Sequence, residues 1–279
     1  MKYNFNNKIK EFNKKGYVVF ENVIDLKDLK KIKSNFKKNF YGKYSTSVIP
    51  DKIKWKPGRD SLKIPRSLCN VWKSDLNIAK VVLSKSVSYL ASKLMKWNSV
   101  RLNQDSIIWV VPNAGAVSFH QDNPYQDWHT PGKIITAWIP ITDTGINSGG
   151  IEYLPYSHKK KGGKRLDKFF SSKDYRFPLK KKYGKNIIKK IEIIDIKVGS
   201  IVFHHGDIWH GSGFNETKTD RIALSIHFMN GKSKFHPKIK NPQFNHYKLF
   251  DTLKMEESFF PITWSGDNKV SKFIKSYIK

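Results

Sequence analysis

The chain of 279 residues holds one cysteine, Cys69. A lone thiol forms no intramolecular disulfide, and nothing around it has the spacing of a zinc site. A reducing, cytoplasmic compartment is therefore expected. No run of about 18 apolar residues occurs, which excludes a transmembrane helix, so no membrane partner is expected. The opening MKYNFNNKIKEF has no apolar h-region or small-residue cleavage site and reads as amphipathic rather than as a signal peptide. Arginine is scarce too. Of 52 basic residues only Arg59, Arg66, Arg101, Arg165, Arg176 and Arg221 are arginine, against a formal net charge of +29. Specific reading of phosphates and base edges leans on arginine. The lysine excess, mixed with much asparagine and isoleucine, reads as compositional bias, and no nucleic-acid partner is expected. The basic surface leans towards an anionic small molecule through steering. Each arginine that was kept is the more informative.

Internal repeats and long Pro/Gly/Ser linkers are also missing, so one domain over 1–279 is expected. Helix signals dominate 1–99. Tyr17–Phe20 reads as a short buried strand, and Asp25 caps a helix with Leu26, Leu29, Ile32 and Phe36 on one face. Ser74 or Asp75 caps a second helix running through Leu76, Ala79, Leu83, Val87, Leu90 and Leu94. From Val100 the period changes. Val100–Val111, Val117–His120, Ile134–Ile141, Gly150–Leu154, Ile191–Ile196, Ser200–His205 and Ile222–Met229 are strand-like and separated by turn residues. The fold class expected is mainly β with flanking α, a sandwich or barrel core over 100–230 with helices packed outside. Two basic runs make 159–185 an exposed excursion, and 231–279 is a C-terminal extension.

Two short stretches carry chemistry. In FHQDNPYQDW, His120 and Asp122 are two residues apart, the spacing that puts side chains on one face of a strand. Alone the pair means little. In FHHGDIWHGSGFNETKTDR, His210 follows a buried-looking strand and precedes a Gly-Ser-Gly turn, and Arg221 opens the apolar strand IALSIHF. A buried guanidinium needs an anion. That anion is either a protein carboxylate, Asp195 or Asp207, or the carboxylate of a ligand. Two histidines and one carboxylate lining one cavity form the facial triad of non-haem Fe(II) oxygenases.

The sequence resembles the phytanoyl-CoA hydroxylase (phytanoyl-CoA dioxygenase) family of Fe(II)/2-oxoglutarate-dependent dioxygenases. The resemblance rests on His120-Gln121-Asp122 followed by Tyr125, on Ala137–Ile141 leading to Asp143 and Asn147-Ser148-Gly149-Gly150, and on LPYSHK at Leu154–Lys159. In the last of these Tyr156 stands where glycine is usual. It rests also on His210-Gly211-Ser212-Gly213 with Arg221 eleven residues after His210, and on the N-terminal GYVVFENVID. It implies a double-stranded β-helix (jelly-roll, cupin-like) core. It implies that His120, Asp122 and His210 bind Fe(II), that Arg221 pairs with the distal carboxylate of 2-oxoglutarate, and that Ser212, Trp138, Gln121 and Gln104 contact this co-substrate. Oxygen is the second co-substrate, and ascorbate is expected to help in vitro. Relatives that halogenate replace the carboxylate ligand with a small residue, so the retained Asp122 favours hydroxylation. The function expected is an oxidoreductase that hydroxylates an unactivated C–H bond of a small, anionic metabolite and releases succinate and CO2. Two other readings compete: a catalytically silent jelly-roll binding protein, and an oxygenase acting on a macromolecule.

Other residues have plainer readings beside the functional ones. Of His204 and His205, one is a satisfied interior histidine and the other exposed. His129 and His158 read as loop residues, with His129 at the pocket mouth, and His227 reads as structural. Tyr125, Trp128, Trp109 and Trp209 are candidates for the substrate cavity wall, Trp209 equally for packing. Substrate loops are expected at 44–64, 123–133 and 159–185.

Overall fold

The computed structural model describes residues 3–160, 162–166, 169–171 and 173–278. Lys161, Asp167, Lys168 and Ser172, all in the basic excursion, lie outside the described residues. Two antiparallel sheets face each other. The major sheet runs Tyr17–Phe20, Ile201–His205, Ile134–Pro140, Arg221–Asn230, Ser99–Val110, Arg66–Cys69, Lys52–Ile53, with Ile262–Ser265 also paired to Ser99–Val110. The minor sheet runs Glu192–Ile193, Ile151–Tyr153, His210–Ser212, Ala116–His120, Phe170–Ser171.

Strand Arg221–Asn230 shows how the sequence sorts itself between the two faces of the major sheet. Ile222, Leu224, Ile226 and Phe228 join the core beneath the helices, whereas Arg221, Ser225 and His227 line a cavity between the sheets. The pleat alternates side chains with a period of two, so the large aliphatic and aromatic residues fall on the helix side and the polar ones on the cavity side, where Ala223 and Met229 share their parity. The helix-side core takes in Leu29, Ile32 and Phe36 from helix Leu26–Phe40, which Asp25 caps as expected by accepting from Lys27 N at 2.8 Å. Phe12 of helix Phe5–Lys15 joins the same cluster.

The single second helix expected is two, Leu76–Val82 and Lys85–Met95. Asp75 caps the first, accepting from Asn77 N at 2.8 Å and Ile78 N at 3.2 Å. The chain breaks at Ser84, which is extended and starts the second helix as its N-cap. The β-branched Val81-Val82 pair ahead of it disfavours helix continuation. Strands Lys52–Ile53, Arg66–Cys69 and Ile262–Ser265 were not foreseen. They are short or edge elements with weak alternation. Tyr156, in the glycine position of LPYSHK, has φ of 66°, the left-handed conformation that glycine adopts without steric cost. The excursion is only partly exposed: Leu179 of helix Phe177–Tyr183 is fully buried, and Arg165, Leu166, Phe169 and Phe170 line the cavity. The C-terminal extension reaches the cavity as well, through Asn241–Phe244. Among the described residues no helix is long and apolar enough to cross a membrane.

The face assignment is testable by denaturation. Ile226→Ala, on the helix-side core, should cost about 2–5 kcal/mol. The neighbouring Ser225→Ala, facing the cavity, should cost less than about 1 kcal/mol. Equal costs would contradict the sheet's orientation.

Candidate metal centre and 2-oxo-acid pocket

His120 and His210 end and begin adjacent strands of the minor sheet and are direct cross-strand partners. Their rings lie 4.2 Å apart. The strand ends at His120, and the chain turns into a short 3-10 helix, Asn123–Tyr125. Asn123 pins that turn, its N–H donating to the Gly206 carbonyl at 2.8 Å and its Oδ1 accepting from Ile134 N at 3.0 Å. Asp122 is thereby brought against both rings. Its Oδ1 is 3.4 Å from His120 Nε2 and 3.7 Å from His210 Nε2. All three side chains are buried, and they form a group able to hold a metal ion.

The tautomers follow from the backbone. His120 Nδ1–H donates to the Ser118 carbonyl at 2.8 Å, and His210 Nδ1–H donates to the Ile208 carbonyl at 3.1 Å. A carbonyl only accepts, so each ring keeps its proton on Nδ1 and turns an Nε2 lone pair to the centre. Burial pushes the His210 pKa well below the ordinary histidine value, so the ring is neutral at neutral pH. Asp122 is an anion. Burial alone would raise its pKa, but His210, His120 and His204 outweigh that and hold it well below the usual carboxylate range. His120 Nε2, His210 Nε2 and Asp122 Oδ1 thus converge on one point, close enough together to hold one metal ion. The other carboxylate oxygen, Oδ2, is fixed by Thr136 Oγ1–H at 2.8 Å and His204 Nε2–H at 3.1 Å. His204 Nδ1 in turn accepts from the Tyr153 hydroxyl at 2.8 Å. Thr136 and His204 are register partners on neighbouring strands, which is why they reach one oxygen together.

A buried charge of the opposite sign lies in the same cavity. Arg221 is 2% exposed, and its Nη2 donates to Ser212 Oγ at 3.0 Å. Its Nε has no acceptor among the described residues, and neither Asp195 nor Asp207 pairs with it. Burial alone pulls its pKa down to about 10. The guanidinium keeps its charge at neutral pH and lacks an anion. The cavity is about 540 Å³.

The structure divides the other candidates by strand parity. Gln104, Trp138, Ser212 and Tyr125 line the cavity. Gln121 does not. It follows His120 and points the other way, its Nε2 donating to the Asp207 carbonyl. Trp128 packs with Phe235, Phe244 and Phe260 in a separate cluster. Trp109 sits in the helix-side core against Phe36 and Phe40, because it alternates with the cavity-facing Ser106 and Ile108. Trp209, adjacent to the inward His210, faces Phe119, Leu154 and Leu179. His129 is buried beside Asn103 rather than placed at the mouth. His227 is part of the cavity wall, its Nδ1 accepting from Gln104 Nε2 at 3.2 Å. Its regular alternation in IALSIHF carried the signal, because His227 shares parity with Arg221.

The fold and site define a class: a jelly-roll protein whose cavity holds two histidines, one carboxylate and a buried, unpaired arginine. The chain belongs to the phytanoyl-CoA dioxygenase (PhyH) family, whose profile matches residues 12–223. It is 28% identical over 127 residues to the phytanoyl-CoA dioxygenase domain-containing protein 1 homolog of Caenorhabditis briggsae, covering 41% of each chain. It is 24% identical over 221 residues to a probable alpha-ketoglutarate-dependent hypophosphite dioxygenase of Stutzerimonas stutzeri, covering 78% of this chain and 76% of that one. The match spans about two fifths of the former relative and half of a rice relative. The fold is that of the epimerase SnoN, solved in complex with Fe3+, alpha-ketoglutarate and nogalamycin RO, with a TM-score of 0.70 at 17% identity, covering 93% of this chain and 98% of that one.

The convergence of lone pairs gives a test of sign in metal-free protein. Asp122→Asn supplies an N–H donor towards an imidazole Nε2, so in a chelator the variant should unfold at the same temperature as the parent or higher. Were the rings imidazolium cations, the same change would break a buried ion pair and destabilise by about 3–5 kcal/mol.

Proposed function

We propose that this protein is an Fe(II)- and 2-oxoglutarate-dependent dioxygenase that hydroxylates a C–H bond of a small metabolite. The observation that carries the reading is what meets in one cavity: His120, Asp122 and His210 grouped closely enough to hold a metal ion, and a buried Arg221 guanidinium that pairs with no described carboxylate. His120, Asp122 and His210 hold the metal, and Arg221, steadied by Ser212, takes the distal carboxylate of 2-oxoglutarate. The chemistry such a centre supplies is oxidative decarboxylation of 2-oxoglutarate by O2, yielding succinate and CO2, with oxygen insertion into a substrate C–H bond.

The chain's own residues do the rest. Thr136 and His204 hold Asp122 so that one oxygen faces the metal. The Ser118 and Ile208 carbonyls fix the imidazole tautomers. Trp138 and Ile151 help wall the cavity and keep water from its reactive end. Retention of the carboxylate ligand favours hydroxylation over halogenation. A cavity of about 540 Å³ suits a small molecule better than a polymer. We read 1–279 as one domain, since Ile262–Ser265 pairs with Ser99–Val110 and Phe244 lines the cavity. The buried thiol of Cys69 fits a reducing, cytoplasmic setting.

Anaerobically purified protein given Fe(II), 2-oxoglutarate and ascorbate, then O2, should release succinate even without a primary substrate. His210→Ala should abolish the release. Arg221→Ala should raise the 2-oxoglutarate needed for half-saturation about 30-fold or more, the cost of truncating one partner of a buried charge pair. Absence of both succinate and any 2-oxoglutarate binding would leave a binding protein on this fold.

A further inference from the structure

Once the metal and 2-oxoglutarate are assigned their residues, the cavity still carries positive charge. Asp122 is the carboxylate residue among its described lining residues, whereas Lys52, Lys54 and Arg165 remain on the basic side. Arg165 is engaged, paired with Asp127 and donating through Nε to the Pro124 carbonyl at 3.0 Å. Lys52 is exposed to solvent.

Lys54 is different. Its backbone N–H donates to the Ser67 carbonyl at 3.0 Å, which fixes the residue beside the edge of the major sheet. Its side chain is half-buried, with Nζ 4.7 Å from the Phe169 ring centroid and 5.3 Å from that of Phe170. No described carboxylate pairs with it. Burial, reinforced by neighbouring Lys52, lowers its pKa from the ordinary lysine value, the direction expected of an ammonium that lacks a counter-ion. Two phenyl faces recover only part of the hydration such a group gives up. Phe169 also joins Lys54 to the metal centre, because its ring packs 4.5 Å from that of His120. One aromatic ring therefore separates the unpaired ammonium from a metal ligand.

We propose that Lys54, Phe169 and Phe170 form the substrate's anion subsite, so that the substrate is a small molecule with an apolar body and a terminal carboxylate or phosphate. The anion pairs with Lys54, and the apolar body lies along Phe169 and presents its C–H bond to the metal centre. The assignment rests on the dioxygenase reading, whose own site uses other residues. Arg221 serves one anion, the co-substrate, and Lys54 serves the second.

The test uses anaerobic protein loaded with Fe(II) and saturating 2-oxoglutarate, the complex being verified by its visible charge-transfer band. Hydrocinnamate, phenethyl phosphate and hydrocinnamamide are then titrated calorimetrically. At least one anion should bind tenfold or more tightly than the neutral amide, and whichever anion binds better identifies the headgroup. Lys54→Gln should abolish that preference, Lys54→Arg should keep it, and both should form the charge-transfer band with 2-oxoglutarate unchanged. The subsite is overturned if the amide binds as tightly as both anions, if neither anion binds saturably, or if Lys54→Gln retains the preference. In all of these the band still forms and the dioxygenase reading stands. Failure of the band in the parent protein overturns both.

Discussion

Two imidazoles and one carboxylate, buried and turned towards one point, are the constraint around which this protein is organised. The imidazole protons are committed to the backbone carbonyls of Ser118 and Ile208, and the carboxylate is that of Asp122. Folding such a group costs free energy, because buried acceptors and a buried anion lose water. The surrounding structure holds it in place. Cross-strand pairing sets His120 opposite His210, the turn pinned by Asn123 delivers Asp122, and Thr136 and His204 lock the carboxylate's second oxygen. The largest stabilising mass, the apolar face of the major sheet under the helices, lies on the other side of that sheet. Stability and chemistry are thus assigned to opposite faces of the same strands, which lets one face stay polar and strained while the other packs densely.

The arginines show how selectively charge is left unmet. Arg176 is held in a fork by Glu152 at 2.9 Å through both Nε and Nη2, and Arg101 reaches Glu257 at 3.0 Å. Arg66 has no carboxylate either, but it is sandwiched between the rings of Trp55 and Trp109 at 4.1 and 3.8 Å. Among the described residues Arg221 has neither acid nor aromatic cover, only the Ser212 hydroxyl. The cavity therefore combines a group of two histidines and one carboxylate with a guanidinium that no described carboxylate meets. A metal chelated by a dicarboxylic 2-oxo acid answers both at once, since it brings a cation to the triad and a carboxylate to the arginine. Lys54 extends the same logic to the mouth.

Much of this was legible in the residues. The period-two strands from Val100 onward and the Asp25 cap were readable because each depends on neighbours one to four positions away, whereas the two histidines, the carboxylate and the arginine opening an apolar strand were singled out by the spacing of short motifs. The aromatic residues were not. Trp109, Trp128 and Trp209 are as suited to a pocket wall as to a core, and only the phase of each strand against the sheets decided that all three pack elsewhere. His227 was misjudged for the same reason in reverse. Its parity with Arg221 was visible, but the side of the sheet that held the cavity was not.

What the sequence by itself determined is the donor set and the class of chemistry it permits: two histidines, one carboxylate, one arginine, in an order and spacing that a jelly roll brings together. Tertiary structure alone decided the protonation geometry and the substrate side. The tautomers depend on which carbonyls stand behind the rings. The unpaired guanidinium of Arg221 depends on Asp195 and Asp207 being elsewhere, and the Lys54 subsite on a residue far back in the chain meeting Phe169 beside His120. Those are contacts between segments distant in sequence. They are set by how two sheets close on each other, a property that no local pattern encodes.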